Sequence, residues 1–418
     1  MKVSGTLRVP GDKSISHRSL ILGALASGRS RVTGILQSAD VHSTAGVLRT
    51  LGATIPELSS DFTIEGRGVD SLRAPSSSLD CGNSGTTTRL MAGVVAARPF
   101  ESTFVGDASL SRRPMRRVAK PLEAIGARVS LPPHGGLPMT ITGGRLHELQ
   151  WQSETASAQV KSAILLAALV AGVHADVVEP EPTRDHTERM LLARGVSLSA
   201  NAGRVTIEGM GRVNALDVSV PGDPSSAAFF AGLAAIADEG ELRLEHVCVN
   251  ETRVGFLERL EEMGASVIEV DSRLEGGEPV ADLIISPGTL RATTVVAADV
   301  PSMVDELPLL ACLATLADGE TVITGANELR VKESDRIAAV VANLRAIGAD
   351  ADELPDGMRI RGSRRPLSGR IRTHGDHRLA MAFGILGAAT GNSIEIDDRD
   401  CVAVSYPGFW NDLASVTR

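Results

Sequence analysis

The sequence predicts a mixed α/β chain of two domains, each holding three copies of one αβ unit of roughly 70 residues. Three observations carry that reading. A polar Ser/Asp/Asn/Thr cluster that opens an Ala/Leu helix recurs six times along the 418 residues. Glycines that would stop a helix, Gly52, Gly126, Gly195, Gly264 and Gly348, lie roughly 70 to 85 residues apart and precede strand-like runs. The passage Leu7-Arg8-Val9-Pro10-Gly11-Asp12 is echoed by Val218-Ser219-Val220-Pro221-Gly222-Asp223.

The first unit opens after the strand-like run Leu7–Pro10, at Gly11–Arg18, and its apolar helix runs over Leu20–Leu25. It continues through strand Arg31–Thr33 to the stop at Gly52 and a strand over Ala53–Ile55. The second runs from Asn83-Ser84-Gly85 through Ser102–Val105 to Gly126 and Ala127–Val129. The third begins at Ser157-Ala158-Gln159, passes Ala175–Val178 and stops at Gly195. Asp223-Pro224-Ser225-Ser226 opens a fourth, Ser302–Asp305 a fifth, and Asp376-His377-Arg378 a sixth that ends near Phe409-Trp410. The echoed Pro-Gly-Asp passages then mark two chain crossings, near 10–13 and 220–224. One domain comprises residues 1–11 and 223–418, and residues 12–222 are inserted into it.

Composition narrows the function. A formal net charge of −9 argues against nucleic acid or a membrane surface as partner, and makes local Arg/Lys clusters informative. Only 3% of residues are aromatic while glycine is abundant, which suits close packing by small side chains. Cys81, Cys248, Cys312 and Cys401 are widely spaced, so neither a disulfide framework nor a zinc knuckle is expected. The longest apolar run, Ala163–Val173, is about half a membrane span. A soluble cytoplasmic protein is the expectation, and nothing in the sequence demands more than a monomer.

The helix starts hold the chemistry. Gly11–Arg18 gathers Lys13, Ser14 and Arg18 where free backbone N–H groups favour an anion, although an ordinary N-cap with solvated cations fits that string equally well. Gly82–Arg89 places amide and hydroxyl groups ahead of a helix, as a phosphate cradle or as a plain cap. Arg112, Arg113, Arg116 and Arg117 crowd a short run, where one or two are expected to point inward; Pro114 holds Arg113 extended. Ser157 is either an N-cap or a ligand contact. The Asp/His/Glu mixtures at 183–188 and 374–378 are too irregular for a metal site, so no metal is expected. In Arg330–Arg336, a helix would put Lys332 and Arg336 on one face beside Glu333, either as surface ion pairs or as cations flanking a proton-transfer carboxylate.

Taken together, Gly-Asp-Lys-Ser-Ile-Ser-His-Arg, Gly-Asn-Ser-Gly-Thr, Arg113-Pro114-Met115, Ser-Ala-Gln-Val-Lys-Ser, Arg-Val-Lys-Glu-Ser-Asp-Arg and Asp-His-Arg-Leu-Ala-Met resemble the 5-enolpyruvylshikimate-3-phosphate synthases of the enolpyruvyl transferase family. The strings keep that family's order over nearly the whole chain. The resemblance implies two domains, each of three βαβαββ units about a pseudo-threefold axis, that close over substrate. It implies transfer of the enolpyruvyl group of phosphoenolpyruvate to the 5-hydroxyl of shikimate 3-phosphate on the route to chorismate and aromatic amino acids, with no cofactor. By motif, Lys13 contacts both substrates and Ser14 and Arg18 bind shikimate 3-phosphate. Asn83 lies in the Gly-Asn-Ser-Gly string, and the resemblance assigns Gly85, Arg113, Arg336 and Arg378 to phosphoenolpyruvate. The resemblance also puts Ser157 by the shikimate-borne phosphate, with Thr183 where the family often has serine for it, Gln159 between the substrates, and Ala158 among the substrate-binding residues. The resemblance assigns Asp305 and Lys332 to the shikimate hydroxyls, and makes Asp305, Glu333 and Lys13 the catalytic candidates.

Two positions depart from the pattern. Val404 stands where many relatives have lysine, and Glu328 where some have asparagine. The alternatives are the sister enzyme acting on UDP-N-acetylglucosamine and a non-catalytic phosphometabolite-binding protein. The sister usually carries Lys-Asn near its start and a reactive loop cysteine, whereas Lys13 here precedes Ser14. A pure binder gains nothing from carboxylates such as Asp305 and Glu333 beside its cations.

Overall fold

A computed structural model describes residues 1–201, 203–209, 212–363 and 365–418. The chain forms two compact units. One comprises Met1–Pro10, Pro221–Arg273 and Pro279–Arg418; the other comprises Gly11–Val220 and the short stretch Leu274–Glu278. That stretch lies at a turn between the long strands Ser266–Glu275 and Glu278–Ser286, and no sequence signal marks it as a separate crossing.

The sheets repeat one plan. Leu79–Asp80 pairs in parallel with Glu101–Val105, which pairs antiparallel with Met139–Thr142, and that in turn with Arg128–Ser130. The set Leu149–Gln152, Ala175–Val178, Arg204–Ile207 and Leu198–Asn201 does the same. So does Thr294–Val295, Glu320–Ile323, Gly357–Arg361 and Asp350–Leu354. Ser27–Thr33 and Asp61–Arg67 form an antiparallel pair whose parallel edge is the distant Val218–Ser219. Glu239–Cys248 likewise takes its parallel edge from Lys2–Leu7 at the chain start. The echoed Pro-Gly-Asp passages therefore each follow an edge strand borrowed from far along the sequence. A shorter parallel pair, Ser368–Ile371 with Ser393–Ile396, belongs to the sixth repeat.

Each unit is built around three helices buried on nearly every side, as helices without an amphipathic stripe must be. In Gly11–Val220 these are Lys13–Leu25, Gly85–Ala96 and Ala158–Ala171. A Cβ on Gly93 would stand 2.1 Å from the Ala163 carbonyl oxygen, so the last two helices approach at a spacing only glycine permits. In the other unit, Pro224–Ala235, Leu307–Ala314 and His377–Ala388 are wholly or almost wholly buried. Phe229, Phe230, Tyr406, Phe409 and Trp410 close that core with edge-on and tilted ring contacts at centroid distances of 4.9–5.9 Å. The N-terminal ends of these six helices carry most of the polar strings.

Caps explain the starts. Asp12, Ser84, Asp223 and Asp376 each accept a backbone N–H of the first turn through their side chains. The five stop glycines all take positive φ, between 77° and 118°, the region where a Cβ is unfavourable. Three local expectations are corrected. The first strand is Lys2–Leu7 rather than Leu7–Pro10, because Pro10 cannot donate to a ladder. The first helix begins at Lys13, since the Asp12 carboxylate caps it early, so Lys13, Ser14 and Arg18 lie within the helix. Ala53–Ile55 is not a strand; the strand after Gly52 is Asp61–Arg67.

Candidate active site

The unit Gly11–Val220 holds two polar clusters. Asp12 Oδ1 accepts the Ile15 N–H at 2.7 Å and fixes the helix that carries Lys13. Lys13 Nζ lies 3.3 Å from Asp40 Oδ2, both largely covered. Burial alone would push the Asp40 carboxyl up, but Lys13, His17 and Arg113 outweigh it and hold it below the usual range. His17 lies beneath, fully buried, its Nδ1 2.6 Å from Thr44 Oγ1, which is 2.7 Å from Thr87 Oγ1. Burial drops its pKa to about 3, so the ring is neutral.

Around the start of helix Gly85–Ala96, Arg113 Nη2 donates to Asn83 Oδ1 at 2.7 Å, and Asn83 Nδ2 donates to Asp107 Oδ2 at 2.6 Å. Arg113 takes the extended conformation expected ahead of Pro114. Arg113 and Arg117 are half-buried while Arg112 and Arg116 face solvent. Gln159, at the start of helix Ala158–Ala171, accepts from Arg89 Nη1 at 2.5 Å. Arg89 ends the Gly82–Arg89 string, one turn after Gly85 on the same helix, but only its contact with Gln159 gives it a role.

The second cluster surrounds Arg18. Its Nε donates to Thr187 Oγ1 at 2.7 Å, its Nη2 to Ser162 Oγ at 2.8 Å, and its Nη1 to the Ser14 carbonyl at 3.1 Å. Burial pulls its pKa below the ordinary guanidinium value. Close by, Lys161 Nζ lies 2.7 Å from both Glu179 Oε2 and Glu188 Oε1, all three almost fully buried. Burial disfavours the Lys161 charge, but the two carboxylates win and raise its pKa; burial raises that of Glu188. The Thr183 hydroxyl is committed to Glu179 Oε1 at 2.6 Å, which takes the proton it would offer a phosphate. Ser157 stands at the N-cap position, ahead of Ala158, but its hydroxyl makes no capping bond.

The other unit carries the remaining candidates. Asp305 Oδ1 is 3.4 Å from Arg336 Nη1 and 3.6 Å from Lys332 Nζ, and Asp305 Oδ2 is 3.8 Å from Arg378 Nη2. Glu333 Oε2 accepts from Arg336 Nη2 at 2.7 Å. Arg336, 1% exposed, is clamped by Asp376 through Nε at 2.8 Å and Nη2 at 3.2 Å. Burial would lower its pKa, but Asp376 and Glu333 reverse that and raise it. Glu306, buried beside this group, lies 3.6 Å from Arg378 Nη1. Lys332 and Arg336 do not share a helical face. Asn327–Val331 is a 3₁₀ turn, Lys332 is extended, and the helix starts only at Arg336 because the Asp335 side chain caps it. They meet at Asp305 instead. Val404 is 42% exposed, and Glu328 lies 3.7 Å from Lys332.

Among the described residues no His/Cys/Asp/Glu group suits a metal ion, and no helix is long and apolar enough to cross a membrane. His186, part of the Asp/His/Glu mixture, is bonded to Glu278 at 2.9 Å.

Comparison with known proteins bears on this geometry. The family model described as EPSP synthase (3-phosphoshikimate 1-carboxyvinyltransferase) matches residues 1–413. A 3-phosphoshikimate 1-carboxyvinyltransferase of Sulfurihydrogenibium sp. (strain YO3AOP1) is 48% identical over 422 aligned residues, spanning 100% of this chain and 98% of its own. A solved EPSP synthase from Acinetobacter baumannii has a TM-score of 0.90 at 43% identity, covering 100% of this chain and 96% of that one. The enolpyruvyl transferase NikO from Streptomyces tendae shares the fold, with a TM-score of 0.76 at 18% identity over 99% of this chain and 95% of that one. With matches of this strength running the length of the chain that carries these clusters, the protein belongs to the EPSP synthase (3-phosphoshikimate 1-carboxyvinyltransferase) family.

Proposed function

We propose that this chain transfers the enolpyruvyl group of phosphoenolpyruvate to the 5-hydroxyl of shikimate 3-phosphate, with release of phosphate. The observation that carries the reading is Asp305, a carboxylate within 3.4–3.8 Å of three cations, with a second carboxylate, Glu333, on the same Arg336. Binding anions alone is served badly by such carboxylates, whereas moving protons beside anions requires them.

In the addition step Asp305 takes the proton of the 5-hydroxyl as its oxygen bonds to C2 of phosphoenolpyruvate, and Glu333 delivers a proton to C3. In the elimination the C3 proton returns to Glu333 and its electron pair re-forms the C2=C3 double bond, while the C2–O bond to phosphate breaks and phosphate leaves with that bond's electron pair, taking up the proton held by Asp305. Lys332, Arg336 and Arg378 offset the charge on the phosphate and carboxylate oxygens. Lys13, Arg18 and Arg113, with Asn83, Gly85, Ser157 and Gln159, supply cations, hydroxyls and amides for the remaining anionic groups. The UDP-N-acetylglucosamine alternative lacks support: Cys81, Cys248 and Cys312 are buried, and burial pushes the Cys401 thiol up to about 12.

The test is phosphate release from phosphoenolpyruvate with shikimate 3-phosphate, against UDP-N-acetylglucosamine in parallel. Release with the first alone is expected. Folded protein that releases phosphate with neither overturns the proposal.

A further inference from the structure

Arg89 folds back over the start of its own helix. It is only 5% exposed, and a Cβ on Gly85 would stand 2.8 Å from its Nη1 and 3.5 Å from Arg113 Nη1. Glycine at 85 thus leaves the space that the Arg89 guanidinium needs. From there Arg89 Nη1 donates to Gln159 Oε1 at 2.5 Å, and Gln159 Nε2 donates to Thr86 Oγ1 at 2.9 Å. A guanidinium has donors and no acceptor, so it admits only one orientation of the carboxamide. The oxygen of Gln159 faces Arg89, one N–H is spent on Thr86, and the second N–H of Nε2 is left to offer.

We infer that Arg89 is a positioning residue that fixes the Gln159 carboxamide so that it presents an N–H donor to an oxygen of phosphoenolpyruvate. The guanidinium charge donating to the Gln159 oxygen also polarises the amide and strengthens that donor. Lysine at 89 would retain the charge but not the planar fork that meets Oε1 while the guanidinium stays packed over Gly85. The inference rests on the proposed enolpyruvyl transfer, because that reading supplies the ligand.

The test combines kinetics with structure. Arg89→Lys is expected to raise KM for phosphoenolpyruvate about tenfold, with kcat and KM for shikimate 3-phosphate nearly unchanged. Placed on Gln159→Ala, the same change should add less than about twofold, since its effect travels through Gln159. Gln159→Glu keeps a partner for Arg89 but replaces the donor by a carboxylate, and should raise that KM more than Arg89→Lys does. Additive effects in the cycle, or a parallel rise in KM for shikimate 3-phosphate, overturn the inference. So does a crystal structure of Arg89→Lys in which the carboxamide has not turned, a readout that holds whatever the activity. Failure of the enolpyruvyl reading is recognised separately, by absence of phosphate release from the unaltered protein.

Discussion

Asp376→Asn isolates the ion pair that holds Arg336. Both side chains are essentially inaccessible, at 1% and 0%, and they meet at 2.8 and 3.2 Å. Removing one partner of a buried pair costs about 3–5 kcal/mol, because the other charge is left in a poor solvent. Two features place asparagine at the lower edge. Its side-chain oxygen can still cap the Arg378 N–H, now accepted at 3.0 Å, and Glu333 and Asp305 remain within 2.7 and 3.4 Å of the guanidinium. The expected loss is about 3 kcal/mol, or a melting point lower by roughly 6–12 °C for a domain of this size. Asp376→Ala forfeits the cap as well and should cost about 1 kcal/mol more. Calorimetric melts of both variants at pH 7.5 supply the measurement. The sign with pH is set by Arg336. Burial pushes the Asp376 carboxyl up, but the neighbouring guanidinium more than reverses this, so its folded pKa lies below 3.8. Its stabilisation is therefore complete above the unfolded pKa of about 3.9 and is lost as pH falls below it. Asparagine melting within about 2 °C of the parent, or a gap between them that persists undiminished at pH 3, would refute this account.

Three further outcomes follow from the same geometry. Glu333→Gln keeps a hydrogen-bond acceptor for Arg336 Nη2 but cannot protonate carbon; turnover should fall by about a hundredfold or more while shikimate 3-phosphate binds calorimetrically as before. Equal loss of both would make Glu333 structural. Lys161→Met strands Glu179 and Glu188 and should cost about 3–5 kcal/mol in urea unfolding, with part recovered in Lys161→Met/Glu188→Gln; no recovery in the double variant contradicts the pairing. His17, neutral in the fold with its pKa lowered to about 3 by burial, stabilises fully above the unfolded value of 6.5 and penalises the fold by about 1.4 kcal/mol per pH unit below it. Replacing it by asparagine should flatten the stability decline between pH 6.5 and 4, and an unchanged slope in urea midpoints argues against a buried neutral ring.

The repeat was legible because its signals are local. A capping Asp or Ser, an Ala/Leu helix and a left-handed glycine each act within a few residues, and Asp12, Ser84, Asp223 and Asp376 all cap as their strings suggest. What failed depended on distance. Ala53–Ile55 contains strand-forming residues but joins no ladder among the described residues, and the strand forms at Asp61–Arg67, which pairs with Ser27–Thr33. The stretch Leu274–Glu278 counts with Gly11–Val220 through contacts such as that of Glu278 with the distant His186, which no composition shift announces. Lys332 and Arg336 were expected to share a helix face; a capping Asp335 moved the helix start, and Asp305 brings them together instead. Asp40 and Arg89 sit in ordinary helical strings, and only tertiary neighbours give them meaning.

Two buried arginines show why burial by itself does not identify a ligand contact. Arg336 is matched almost completely by Asp376, Glu333 and Asp305, and those carboxylates raise its pKa. Much of its charge is met by these carboxylates, which it holds in place. Arg18 is equally covered, yet its hydrogen bonds go to two hydroxyls and a carbonyl, and burial lowers its pKa. Glu188, Asp12 and Glu278 support its charge only through longer-range attraction. A cation held by neutral dipoles keeps most of its field available, which is what a bound anion needs. The same residue type therefore sits in two different settings: Arg336 is met by carboxylates, whereas Arg18 is held by hydroxyls and a carbonyl, the arrangement that the proposed anion binding would call for.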